Sequence, residues 1–161
     1  MKNLEKMDSA LESVLKTDSK DILIICDKQG KYSLFGRYSI IPKEIGFNAF
    51  TAKHTEDYIF SNIIYAVCWC VFHNAGKFNE ANRIVTLNNR LSSIKADLQN
   101  HVRLFKSAQT SSMKFIYRVK LEEDQLKRDL AVKEMSHYIS KGRMIQEHKF
   151  YKTKHNKFKY I

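Results

Sequence analysis

The hydrophobic positions of this chain fall into blocks of different period, and each block predicts a different element. Between residues 4 and 16, Leu4, Met7, Leu11, Val14 and Leu15 recur at mostly three- and four-residue steps among charged neighbours, which is the pattern of an amphipathic helix. Residues 22–26 are short, apolar and β-branched, and read as a strand. Asp27-Lys28-Gln29-Gly30 supplies the chemistry of a tight turn. A second strand is expected over 31–41, where Tyr32, Leu34, Gly36 and Tyr38 alternate with Ser33, Phe35 and Arg37. Gly36 would mark a bulge or a close approach there, and Pro42 stops the ladder. A third strand, 45–53, puts Ile45, Phe47 and Ala49 on one face and Gly46 and Asn48 on the other. The simplest arrangement is a three-stranded antiparallel meander with helices on one face.

From residue 56 to 75 the chain is apolar nearly all round, which predicts a helix buried on several sides. Thr55 is its expected N-cap, Glu56 and Asp57 suit the positive end of its dipole, and Gly76 ends it. Its expected place is between the sheet and the helices that follow.

Residues 79–107 contain neither Gly nor Pro, and Ile84, Leu87, Leu91, Ile94, Leu98, His101 and Phe105 recur with alternating three- and four-residue steps. Such spacing keeps one seam facing a partner helix and permits knobs-into-holes packing. The polar stretch 107–112 breaks the pattern, and a second helix is expected from 113 to about 140, offering Ile116, Val119, Glu123, Leu126 and Leu130 as its seam. Folding the two helices back at the break pairs residues whose numbers sum to about 220. Phe105 then meets Ile116, Ile94 meets Leu126, Leu91 meets Leu130, and a His101–Glu123 hydrogen bond crosses the seam. The competing account of the same spacing is an ordinary core-facing stripe.

The expected fold class is therefore α+β: a three-stranded antiparallel sheet on a buried helix, then a long antiparallel two-helix hairpin and a basic tail. The expected division is residues 1–76 as head, 77–145 as hairpin packed on the head, and 146–161 as tail.

Charge sharpens this picture. Of the formal net charge of +11, none lies in residues 1–60, where nine Lys/Arg balance nine Asp/Glu. Residues 61–139 hold twelve against seven, and residues 140–161 seven against one. Excess positive charge concentrated toward one end favours an acidic partner, whether nucleic acid, an anionic surface or an acidic protein face. Arg143, Lys149, Phe150, Tyr151, Lys152, Lys154, Lys157, Phe158, Lys159 and Tyr160 interleave cations with aromatic rings. Lysines release counterions from phosphates, and rings stack on unpaired bases or fill apolar pockets. The tail accordingly reads as an arm that docks on an acidic partner or nucleic acid; the alternative is a basic strand returning to its own body.

Composition removes other classes. At 43% hydrophobic and 12% aromatic the chain has enough apolar mass to fold. Its longest apolar run, 63–72, falls well short of the ~18 residues of a membrane span. Residues 1–20 mix both charges and do not read as a secretory signal. An odd set of cysteines, Cys26, Cys68 and Cys70, suits a reducing intracellular compartment.

Candidate chemistry is sparse. Cys68 and Cys70 diverge on a helix, so only Cys70 and His73 share a face, too few for zinc. Glu147-His148-Lys149 looks like half of a nuclease motif, but such motifs sit on core strands, whereas this one follows the last helix. No HExxH, GxGxxG or GxSxG occurs. No catalytic residue, cofactor or metal is expected.

At Tyr32-Ser33-Leu34-Phe35-Gly36-Arg37-Tyr38, at Ala66 with Trp69-Cys70, and at Ala81 with Arg83-Ile84, the chain resembles small uncharacterised proteins of contractile-tailed bacteriophages. The abundance of Lys, Asn, Ile, Phe and Tyr also suits a compact AT-rich viral genome. The resemblance implies a virion or packaging component, located in the virion or host cytoplasm, and assigns no active residue. Its expected partners are other subunits, its own copies or virion proteins, and nucleic acid as the alternative; no membrane is expected, and an oligomer is.

Overall fold

A computed structural model describes residues 25–26, 31–44, 46–51 and 58–158, with the backbone alone at 25–26, 50 and 146–158. The expected N-terminal helix, the turn at 27–30, the cap at Thr55, and the tail side chains from Lys149 through Phe150, Tyr151, Lys152, Lys154, Lys157, Phe158, Lys159 and Tyr160 lie outside the described residues.

The fold is α+β. Among the described residues the strands are β1 (Ile25–Cys26), β2 (Tyr32–Leu34), β3 (Tyr38–Lys43), β4 (Gly46–Thr51) and β5 (Tyr58–Phe60), and the helices are α1 (Ile63–Asn74), α2 (Phe78–Ser107) and α3 (Ser111–Phe158). The strands form one antiparallel meander in sequence order.

Five strands replace the expected three for two local reasons. The stretch read as one strand reverses at Phe35 and Gly36, whose φ values of 56° and 67° are both left-handed. The N–H of Arg37 closes that turn on the carbonyl of Leu34 at 3.1 Å. Two successive positive φ values match the twist of a tight hairpin, so Gly36 is a turn residue and not a mid-strand bulge. At the other edge, Tyr58–Phe60, expected as the first turn of the buried helix, instead pairs with β4, with Phe60 opposite Phe47. Helix α1 then begins at Ile63, where the Asn62 side chain accepts a hydrogen bond from the Ile64 N–H at 2.8 Å. Asn62, and not Thr55, is its N-cap. Gly76, with φ 74°, ends the helix, and the Lys77 N–H closes back on the Phe72 carbonyl at 2.9 Å.

Alternation along the strands puts Tyr32, Leu34, Tyr38, Ile40, Ala49 and Phe60 into the core. Helix α1 lies against β4 and β5 and also contacts α2 and α3, so residues 66–72 are buried without a break. Trp69 is the centre of this packing, with ring centroids 5.8 Å from Tyr38, 5.4 Å from Tyr58 and 6.3 Å from Phe60.

Helices α2 and α3 pack along one another as an antiparallel pair, joined by the three residues 108–110. Thr110 starts α3, its hydroxyl accepting from the Met113 N–H at 3.2 Å. α3 does not end near residue 140 as expected but continues to Phe158. The backbone of the basic segment up to that point is therefore helical and not a returning strand, and Glu147-His148-Lys149 lies on a helix.

Candidate protein interface

The hairpin is closed by side chains from both helices. On α2, Ile84, Leu87 and Ile94 are buried, and Leu91 and Leu98 pack against the same core. On α3 the inward positions are Tyr117, Leu121, Asp124, Ala131, Met135, Tyr138, Gly142 and Ile145, all buried or half-buried. These positions follow four- and three-residue steps, with Arg128 filling the one remaining step as an exposed member.

The expected seam of α3 is thus displaced around the helix. Ile116 is 52% exposed, Val119 37%, and Leu126 and Leu130 61% each, and Glu123 is exposed with them. At about 100° per residue this stripe lies roughly 140° from the inward face. The antiparallel order is as expected; the rotation is not. Its cause lies in the second half of α3, which must meet α2 and α1 together. A Cβ placed at Gly142 would sit 3.6 Å from Phe72, 3.7 Å from Cys68 and 3.9 Å from Val71, and Tyr138 meets Phe72 edge-on at 5.9 Å. Small residues at 131 and 142 let α3 come close to helices whose own bulk already fills the core. The sequence carries both series, one from Ile116 to Leu130 and one from Tyr117 to Ile145 that includes Asp124 and Arg128, and spacing does not choose between them.

Polar pairs lock the arrangement. His101 bonds Asp124 through Nδ1, one position beyond the expected Glu123, and Asp124 is 5% exposed. Arg83 grips both carboxylate oxygens of Glu134, at 2.9 Å each from Nη2, and Lys141 lies 3.6 Å from Glu80. Asn88, 2% exposed, accepts from the N–H and hydroxyl of Ser61 at 3.0 and 3.1 Å and donates to the Ile59 carbonyl at 2.9 Å. Nothing in the sequence marks Asn88, because a lone Asn among heptad positions carries no pattern. Phe105 is half-buried at the tip.

Rotation of α3 leaves Ile116, Val119, Leu126 and Leu130 exposed in a stripe that Glu123 interrupts. Eight of the eleven large hydrophobic side chains exposed among the described residues are on α3: Met113, Phe115, Ile116, Val119, Leu126, Leu130, Val132 and Met144. Scattered exposed apolar residues are ordinary, but four of them sharing one stripe of a helix make a candidate interaction surface.

Other candidates are plainer. Cys68 and Cys70 are buried, and burial pushes the Cys68 thiol up to about 12 and that of Cys70 higher still, so neither is a nucleophile at neutral pH. His73 bonds the Tyr38 hydroxyl through Nδ1 at 2.6 Å and lines a small aromatic pocket with Tyr58, Trp69, Phe78 and Asn82. Burial also raises the Tyr38 hydroxyl pKa, against the opposing pull of Arg37. No group of three or more His, Cys, Asp or Glu among the described residues could hold a metal ion. No helix among them is long and apolar enough to cross a membrane. Arg143, grouped by sequence with the tail, is half-buried, with its Nε out of solvent and without a hydrogen-bond partner. Comparison with protein-family models, with curated proteins and with solved structures yields no match.

Proposed function

We propose that this chain is a non-enzymatic structural or assembly protein of a virus, which holds other protein subunits through the outer face of its helical hairpin. The supporting observation is the row of exposed apolar side chains on α3, above all Ile116, Val119, Leu126 and Leu130. Burying such a row against another subunit returns roughly 25 cal/mol per Å² of apolar surface, and a rigid rod braced by the head presents it at little ordering cost. The viral assignment rests on the resemblance to proteins of contractile-tailed bacteriophages, and with it the virion or host cytoplasm as location. The test is affinity purification of the tagged full chain from its producing cells, beside a Leu126→Asp/Leu130→Asp variant. Stoichiometric subunits retained by the wild type and lost by the variant are the expected result. A chain with no subunit that depends on these two residues overturns the reading.

A second reading, a nucleic-acid-binding packaging accessory, is favoured by the seven Lys/Arg against one acidic residue in 140–161, most of which are carried on the end of α3. Phosphate contacts make affinity fall steeply with salt. Deleting 148–161 should then weaken DNA binding and flatten its salt dependence; binding that is absent or indifferent to salt rejects this reading.

A further inference from the structure

We propose that the tip of the helical hairpin docks on an acidic face of a different protein subunit, one whose apolar patch is rimmed by carboxylates; this rests on the assembly reading above. Residues 98–121 hold five Lys/Arg, namely Arg103, Lys106, Lys114, Arg118 and Lys120, and no Asp or Glu. All five cations are exposed. None of them pairs with a carboxylate among the described residues: Arg103 reaches the Asn100 carboxamide at 2.9 Å, and the Lys120 ammonium lies 5.6 Å over the Tyr117 ring. The same segment carries five of the eleven exposed large hydrophobic side chains, Val102, Met113, Phe115, Ile116 and Val119.

These groups are placed to reach a neighbour. Ile94 is the last buried residue of α2, and residues 95–107 carry that helix roughly 20 Å beyond it. At about 100° per residue, Phe115, Ile116 and Val119 share an arc of about 100° on the side of α3 away from the inward Tyr117 and Leu121, with Arg118 at one edge and Lys120 at the other. Phe115, 66% exposed, is the largest side chain of this arc. An apolar centre with a charged rim is the anatomy of a protein interface. Its complement is an apolar patch among carboxylates, because opposite charge steers the right partner in and like charge turns wrong ones away.

Charge and chemistry select this occupant over three others. A second copy brings the same net charge of +11, and its exposed Glu122 and Glu123 are followed at once by exposed Lys127 and Arg128, so it offers no acidic face of matching extent. Nucleic acid satisfies the cations, but Val102, Met113, Ile116 and Val119 have no ring to stack on its bases. A lipid surface entered end-on meets the polar apex at 107–112 before it meets Phe115, Ile116 or Val119, and burying unpaired hydroxyls and amides is costly.

The test places the photo-crosslinking residue benzoylphenylalanine at position 115 of the full chain, in its producing cells, and sequences the peptides joined to it. The expected products are peptides of one protein other than this chain, with a surplus of Asp and Glu beside apolar residues. Adding Lys114→Glu/Arg118→Glu should cut their yield tenfold or more with unchanged helical circular dichroism, and reversing the partner's carboxylates to lysine should restore it. Products from a second copy, from nucleic acid or from lipid overturn the acidic subunit as occupant. So do a partner peptide without acidic surplus, a yield indifferent to the charge reversal, and no product at all. If the tip fails in any of these ways while Leu126 and Leu130 still retain a subunit in the purification above, the assembly reading stands without this contact; if that subunit is absent too, both are removed.

Discussion

The carboxamide of Asn88 accepts from both the backbone N–H and the hydroxyl of Ser61, joining the middle of α2 to the corner between β5 and α1. Its NH₂ group donates to Ile59 in the edge strand, so one buried side chain ties the hairpin to the sheet. No apolar contact could do this, because the groups it meets are polar: the Ser61 N–H and hydroxyl and the Ile59 carbonyl.

Replacing Asn88 by Ala or Leu should therefore cost about 1–3 kcal/mol. Leu restores volume but leaves the same polar groups unpaired, so it should not rescue the loss. Urea unfolding of the two variants checks this, and a Leu variant as stable as wild type would contradict it.

The two faces of α3 predict opposite outcomes for similar residues. Met135 is 1% exposed in the core while Leu130, five positions away, is 61% exposed. Met135→Ala should lower stability by about 2–5 kcal/mol, whereas Leu130→Asp should change it by no more than about 1 kcal/mol. Thermal unfolding of both would show the rotation of the helix directly; the reverse order would mean that the expected seam is the real one.

Gly46 opens β4 with φ 141°, and a Cβ there would collide with the carbonyl oxygen of Phe60 in β5. Both the backbone angle and the close approach require glycine. Gly46→Ala should cost about 2–4 kcal/mol, with amide exchange rising first in Tyr58–Phe60, the strand pushed aside. Uniform exchange across the sheet would show that the collision is relieved without moving β5.

Burial raises the Cys68 thiol from 9.0 to about 12. The folded chain thus keeps its proton where the unfolded chain has lost it. The resulting stabilisation is complete below pH 9, and it declines as pH climbs from there toward 12. Tyr38 and Tyr65 are raised by burial as well and shift in the same sense. Denaturation midpoints should fall over this alkaline window, less steeply in Cys68→Ala. At neutral pH a thiol reagent should label Cys68 and Cys70 only as fast as the protein opens, measured peptide by peptide.

Features that depend only on local period and local chemistry were legible along the chain. The apolar run at 63–72 had to be buried, Gly76 had to end a helix, and the unbroken heptad from Ile84 to Phe105 had to find a companion. Strand limits were less legible. The reversal at Phe35 uses a left-handed bulky residue that no turn preference favours, and Tyr58–Phe60 carries apolar residues that serve a helix start or an edge strand equally well. Tertiary structure decided the orientation of α3. Two heptad series run along that helix, and period alone does not say which faces inward. The choice fell to the series with Ala131 and Gly142, because only small side chains let one helix approach α2 and the Phe72 side of α1 at once. Leu126 and Leu130 were left outside, where the next interaction of this protein is to be sought.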